Sequence, residues 1–335
     1  MAIPLTRQNH HIHTVDISII IPHYNLEPAM LQRAIASAAN QFLETRFEWE
    51  IIVVDDGSDT SPVAVVQEFH RANIRLYCRQ HARQGAARNY GLQQAQGEYI
   101  LFLDADDYLL PHSLPRVLDI ALSSHSDIVR FLISGITIHN TPVITNHISH
   151  SFSGDEFMRL HHLPDSPVCY LFRRLLATEN NITFPENVFL EDCAFTIKLH
   201  HAAASVVQTD YTVYAYCQRQ TSTVHTDDTR HKEQLRLHHR LMLEEISRMI
   251  ADNGDNSDKR GLQRKRTFLT VDYIIRICRE LPWHTIAAEE RLWLTQQGLY
   301  PLPYKKAYGC KYLAFATLVN TKPGLRLLKL FLNSD

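Results

Sequence analysis

The sequence predicts an α/β protein built on a mixed, mainly parallel sheet with helices on both faces, followed by a C-terminal helical extension. Three observations lead there: short β-branched runs without a polar face, helical segments alternating with them, and acidic turns directly after the strands. Residues 17–21 (Ile-Ser-Ile-Ile-Ile), closed by Pro22, form the first run and read as a strand buried on both faces. Leu31, Ala34, Ile35 and Ala38 recur at helical spacing between Pro28 and Gln41, and Ile51 to Val54 is the next buried strand. A helix over 60–72, a strand over 74–78, a helix over 84–96 and a strand over 99–103 continue the alternation. In such a sheet ligands bind beyond the carboxyl ends of the strands. From about 112 the rhythm changes to a helix over 113–123, a strand over 127–132 with a hairpin partner reaching 138, and strands at 168–172 and 211–217 that flank a helix starting near Glu191. The sheet is therefore expected to become mixed.

Beyond 229 the pattern is helical, with Leu235, Leu237, Leu241, Leu243 and Ile246 as the expected apolar positions and a polar linker at 252–258. The expected division is an N-terminal tail (1–15), a catalytic domain (16–228) and a helical region (229–335). A chain of 335 residues has ample material for such a core. Lys and Arg number 34 against 36 Asp and Glu, a net charge of −2, which argues against a nucleic-acid binder because that function needs clustered positive charge. Six cysteines lie far apart with no C-x-x-C pair, the N-terminus lacks a secretory apolar run, and no stretch approaches the roughly 18 to 20 apolar residues of a membrane span. These features predict a reduced, cytoplasmic chain.

Two acidic clusters follow apolar strands. Asp55-Asp56-Gly57-Ser58-Asp59 ends one strand, and Asp104-Ala105-Asp106-Asp107 ends another. In a parallel sheet both ends open on one edge, so the carboxylates are expected to converge. The first cluster also has the composition of a turn with a helix N-cap. In the second, three carboxylates within four residues repel one another unless a cation or solvent screens them, and such oxygens suit Mg²⁺ or Mn²⁺ shared with substrate phosphates. The segment Pro22 to Pro28 has no glycine, which argues against a dinucleotide-binding fingerprint after the first strand, and no Walker loop is present.

These blocks together resemble the inverting glycosyltransferases of family 2, which have the GT-A fold. The residues that carry the resemblance are Ser18 to Asn25, Glu50 to Ser58, and Gly85-Ala-Ala-Arg88-Asn89 through Gly97-Glu98 to Asp107, within a likeness spanning about 16–225. The resemblance implies that Pro22, Tyr24, Asn25 and Asp56 surround the base and ribose of a nucleotide-sugar donor, with UDP the family's commonest nucleotide. It implies that Asp104 faces the ribose or metal and that Asp106 binds an Mn²⁺ or Mg²⁺ bridging the diphosphate. Arg88 falls in a donor-side element, or serves as a helix-surface ion pair; Tyr24 is alternatively a packed aromatic.

A third cluster, Glu191-Asp192, matches the family's acidic pair at a helix start, where Asp192 would be the base that deprotonates the acceptor hydroxyl; a helix N-terminus favours its ionised form. The alternative is a purely dipole-stabilising pair. Arg219 falls in the family's loop over the diphosphate and is the natural cation for the leaving group, or else a surface arginine. His225 lies where many GT-A enzymes place a C-terminal metal ligand. His161, His162, His238 and His239 read as surface residues. Residues 301–335 interleave six Lys and Arg with apolar side chains and a single acid, Asp335. That mixture suits either packing on the catalytic domain or peripheral contact with the inner face of a membrane. The implied function is metal-dependent sugar transfer, with inversion, to a glycan or lipid-linked acceptor in surface polysaccharide biosynthesis. A non-catalytic nucleotide-sugar-binding or assembly subunit and a nucleotidyltransferase are the rivals.

Overall fold

The computed structural model describes residues 15–135, 148, 150–186, 188–217, 229–252, 259–305 and 308–332. Backbone proximity groups the chain into two compact units, one within Met1–Ser151, Ser166–Asn187 and Ala202–Arg219, the other within Phe152–Asp165, Val188–His201 and Gln220–Asp335. This differs from the single expected division near 228, because two segments before it pack with the C-terminal helices.

The first unit holds an eight-stranded sheet. Its strands are β1 (Ile17–His23), β2 (Trp49–Asp55), β3 (Ile74–Cys78), β4 (Tyr99–Phe102), β5 (Tyr108–Leu109), β6 (Ile128–Ser134), β7 (Tyr170–Arg173) and β8 (Val206–Ala215), in the order β3-β2-β1-β4-β7-β6-β8-β5. The first four are parallel, with Ile20 opposite both Ile52 and Phe102. β7 is antiparallel to β4 and β6, while β8 runs parallel to β6 and antiparallel to β5. The expected change to a mixed sheet occurs at β7. The expected hairpin partner of β6 falls largely outside the described residues. Helices α1 (Pro28–Ala39), α2 (Val63–Gln67), α3 (Arg83–Gln94) and α4 (Leu114–Ser124) connect these strands and cover the two faces.

The central strands contain almost no exposed side chain, which is why their sequences are apolar at every position instead of alternating. Their polar exceptions are paired. Ser18 donates to Glu50 at 2.5 Å, Glu50 also accepts from Gln96 N and meets Arg75, and Gly97 N donates to Ser18 Oγ. Gly97 permits this approach, since a Cβ there would lie 2.4 Å from Ser18 N. This network closes the amino ends of β1 and β2 and leaves their carboxyl ends for chemistry.

The second unit contains α5 (Gly154–Leu160), α7 (Glu191–Ala202), α8 (Thr229–Asp252), α9 (Arg260–Glu280), α10 (Trp283–Thr285), a π turn (Ile286–Glu290), α11 (Arg291–Gln296), α12 (Cys310–Val319) and α13 (Lys322–Leu332); α6 (Arg174–Glu179) belongs to the first. Asp155 of α5 accepts from Gly261 N and caps α9, and Asp165 pairs with Lys265, which explains why 152–165 groups with this unit. The face of α8 that is buried is His239, Met242, Leu243 and Ile246, whereas Leu237 and Leu241 are exposed. The expectation that His239 lies at the surface is therefore corrected: its position in the 3.6-residue period is the core stripe.

His239 Nε2 lies 3.0 Å from the Leu269 carbonyl, which assigns the proton to that nitrogen, and Nδ1 is buried with no hydrogen-bond partner among the described residues. Burial, aided by the nearby Arg276 cation, pushes the imidazole down to about 4. The unfolded chain thus binds the extra proton between about 6.5 and 4, so stability is full above about 6.5 and falls as pH drops through that window, by at most about 3 kcal/mol. Urea unfolding at pH 7 and pH 4.5 is expected to show this loss in the wild type and a shallower one in His239→Gln; equal slopes would remove His239 as the cause.

Candidate active site

The carboxyl ends of β1, β2 and β4 lie on one edge because the strands are parallel, and the loops that leave them are tied together. His23 Nδ1 meets Asp55 Oδ1 at 3.1 Å, and Ser58 Oγ donates to the same oxygen at 2.5 Å. Asn25, in a left-handed conformation with φ 47°, donates through its backbone to Ser58 Oγ, donates through Nδ2 to Asp59 and accepts from Asp59 N. Asp56 is 2% exposed and accepts from Ala82 N with both oxygens, with His81 Nδ1 2.9 Å and Arg79 Nε 3.5 Å away. The turn needs Gly57 at φ 80°, where a Cβ would also strike His81 N at 2.8 Å. Tyr24 is 44% exposed and its ring stacks on His81 at 4.2 Å. It is thus an exposed aromatic platform and not a core residue, while Pro22 is buried.

The second cluster divides by depth. Asp104 Oδ1 accepts from Arg88 at 2.8 Å and from Gln84 at 2.9 Å. Arg88 is 1% exposed and lies over the rings of Phe184 (5.4 Å) and Phe102 (5.9 Å), so the helix-surface alternative does not describe it. Asp106 is half-buried, and Arg33 of α1 donates to its carbonyl. Asp107 points inward: it accepts from Tyr214 Oη at 2.6 Å and Cys217 N at 2.7 Å, and burial pushes its carboxyl up to about 7. Tyr214 Oη in turn accepts from Asp104 N. Asp107 is therefore the tie between this turn and the end of β8, not a third member of a solvent-facing acidic cluster.

Glu191 and Asp192 occupy the first turn of α7 and are both half-buried. They belong to the second unit, whereas Pro22, Tyr24, Asn25, Asp56, Arg88, Asp104 and Asp106 share one edge of the first. α7 is anchored by Thr196 Oγ1 donating to the Asp165 carbonyl and by buried His200. Arg219 and His225 lie outside the described residues.

Residues 18–180 match the family described as glycosyl transferase family 2. Those residues form a domain of that family. The chain is 31% identical over 215 residues to a poly(ribitol-phosphate) beta-glucosyltransferase of Bacillus spizizenii, covering 61% of this chain but only 32% of that relative. Among solved structures it resembles TarS 1–349 of Staphylococcus aureus in complex with UDP-GlcNAc, with TM-score 0.64 and 21% identity over 94% of this chain and 90% of the other. It also resembles the mannosyltransferase PcManGT of Pyrobaculum calidifontis in complex with GDP-Man and Mn²⁺, with TM-score 0.55 and 15% identity over 95% and 88%. The fold is GT-A with a helical C-terminal region.

The donor set of the family 2 domain fits the divalent ion the family implies. Among the described residues no three His, Cys, Asp or Glu side chains gather into a cage. Asp104 and Asp106 nevertheless supply hard oxygen at an open edge, and Mg²⁺-type sites commonly take one or two carboxylates and complete their shell with substrate phosphates and water. Sequence reasoning missed His81, Gln84 and Arg33. The first two follow β3, the fourth parallel strand on this edge, and the rule that directed attention to the ends of β1, β2 and β4 applies equally there. Arg33 has no such signal, since it reads as the polar side of an amphipathic helix.

Proposed function

We propose that the chain is a metal-dependent, inverting glycosyltransferase of the hexosyl-transferring type. It moves a sugar from a nucleotide-diphosphate donor, a UDP-sugar, to a hydroxyl of a glycan or lipid-linked acceptor in surface polysaccharide biosynthesis. What supports this reading is the position of Asp56, Asp104 and Asp106 directly after β2 and β4, parallel strands whose carboxyl ends lie on one edge, within a family 2 domain. Tyr24, stacked on His81, offers a flat face to the base, and Asp56, fixed by Ala82 N and His81, presents a preoriented acceptor to donor N–H or O–H groups.

Asp104 and Asp106 would hold Mn²⁺ or Mg²⁺, which when bound neutralises charge building on the leaving diphosphate. Arg88 holds the Asp104 carboxylate in place. Asp192 takes the proton from the acceptor hydroxyl; that oxygen bonds to the anomeric carbon from the face opposite the diphosphate, whose C–O bond breaks and releases the nucleoside diphosphate. Glu191 flanks that base, and Arg219 and His225 are proposed to serve the diphosphate and the metal. The exposed face of α13 (Leu327, Leu330 and Phe331, with Arg326 beside them) is proposed to rest on an anionic membrane, which co-sedimentation with phosphatidylglycerol vesicles tests. Among the described residues no helix is long and apolar enough to cross one.

The test of the donor site is titration of UDP with Mn²⁺, together with UDP release from UDP-glucose and UDP-N-acetylglucosamine. Asp106→Ala is expected to weaken Mn²⁺-dependent UDP binding at least tenfold while leaving the thermal midpoint within a few degrees of wild type. Unchanged affinity would reject the metal assignment, and binding without release from any donor would favour the non-catalytic reading.

A further inference from the structure

The second unit holds a cavity of about 230 Å³ between α9 and the segment that precedes α12. Its polar lining is Gln263, Arg266, Thr267 and Thr270 from α9, with Lys305 and Tyr308 opposite. Among the described residues two cations face it and no carboxylate lines it. Arg266 is half-buried, and among the described residues its partner is the Ser247 hydroxyl at 3.2 Å, with no acid paired to it. Its neighbour Arg264 differs, because that guanidinium is taken up by the Met158 and His161 carbonyls. A partly desolvated guanidinium without a counter-charge is costly, and a bound anion offsets the cost. Burial correspondingly holds Arg266 below its ordinary value.

The walls are fixed. Asn320 accepts from Leu302 N and donates to its carbonyl, Tyr312 Oη donates to the Pro303 carbonyl, and the Thr267 hydroxyl donates to the Gln263 carbonyl. The cavity is smaller than the roughly 300–1,000 Å³ of drug-sized ligand sites, which fits a compact head group and excludes a nucleotide sugar. Guanidinium pairs with phosphate oxygens bidentately, and a lysine beside it adds a point charge.

We propose that this cavity is a phosphate-ester binding site, with Arg266 as the bidentate donor, Lys305 as the second cation and Gln263 as a neutral hydrogen-bonding wall. It is separate from the donor site and does not depend on the chain transferring sugar.

The test is isothermal titration of the full chain, with UDP and Mn²⁺ present at saturation so that free phosphate does not report on the donor site. The probes are inorganic phosphate, glycerol 1-phosphate, water-soluble dihexanoyl phosphatidylglycerol and neutral glycerol. Glycerol 1-phosphate is expected to bind and glycerol not; Arg266→Gln and Lys305→Gln should each weaken it at least tenfold, and Arg266→Lys by less. Tighter binding of the short lipid would assign the phosphate to a lipid head group, and tighter binding of glycerol 1-phosphate to a free ester. Lys305 is exposed, so its variant stays informative if Arg266→Gln misfolds. Phosphate esters that bind no better than glycerol, or equally well to wild type and Lys305→Gln, would overturn the proposal.

Discussion

Replacing Asp192 by Asn should lower the turnover of sugar transfer by about 10²- to 10⁴-fold while leaving UDP affinity unchanged, because general-base catalysis contributes in that range and the amide keeps the side chain's shape. Asp192 lies in the first turn of a 12-residue helix, where the backbone N–H groups favour a carboxylate in its ionised, proton-accepting form. Glu191 shares that turn and provides the internal comparison: Glu191→Gln should cost less than tenfold if Asp192 is the base. The pH profile separates the catalytic role from a helix-stabilising one. Wild-type turnover should fall on the acid side as the base becomes protonated, and the residual activity of Asp192→Asn should lose that limb. Near wild-type turnover in Asp192→Asn, or a larger loss in Glu191→Gln, would remove the assignment. A melting curve guards against the trivial outcome, since loss of one N-terminal charge is worth only about 0.3–1 kcal/mol.

The edge of the sheet was legible from sequence because buried parallel strands leave an unusual trace: apolar residues at consecutive positions, each run ending abruptly in Asp or in Pro-His. β1, β2 and β4 all carry it, and Asp56, Asp104 and Asp106 follow at once. The inward turn of Asp107 was not legible. Asp106 and Asp107 are chemically identical, and only the position of Tyr214 and Cys217, more than a hundred residues later, separates the buried acid from the outer one. His239 failed for a related reason. A histidine on a helix rich in charges reads as solvated until the phase of the helix is known, and the expected apolar positions mixed exposed Leu237 and Leu241 with buried Leu243 and Ile246, which left that phase unset. The grouping of 152–165 and 188–201 with the C-terminal helices likewise rests on long-range pairs, such as Asp155 capping α9, that leave no periodic signal.

Arg88→Ala is expected to destabilise the first unit by about 3 kcal/mol, within the range for breaking a buried ion pair from one side. Two losses combine. The guanidinium fills space against Phe102 and Phe184, so its removal leaves a void, and Asp104 loses its charged partner. The second loss is moderated because Asp104 is 24% exposed and keeps Gln84, so water and an amide partly replace the arginine. Arg88→Lys retains charge but not the planar fork, and should cost less in stability. A double-mutant cycle with Asp104→Ala isolates the pair: a coupling energy near zero would mean that Arg88 acts through packing alone, with Asp104 positioned by the turn and by Tyr214. A clear coupling, accompanied by weaker UDP and Mn²⁺ binding in Arg88→Lys at unchanged thermal stability, would identify Arg88 as the group that positions the donor-site carboxylate. The buried arginine of α3 would then affect donor affinity without contacting the donor, since its 2.8 Å bond ends on the carboxylate proposed to face it.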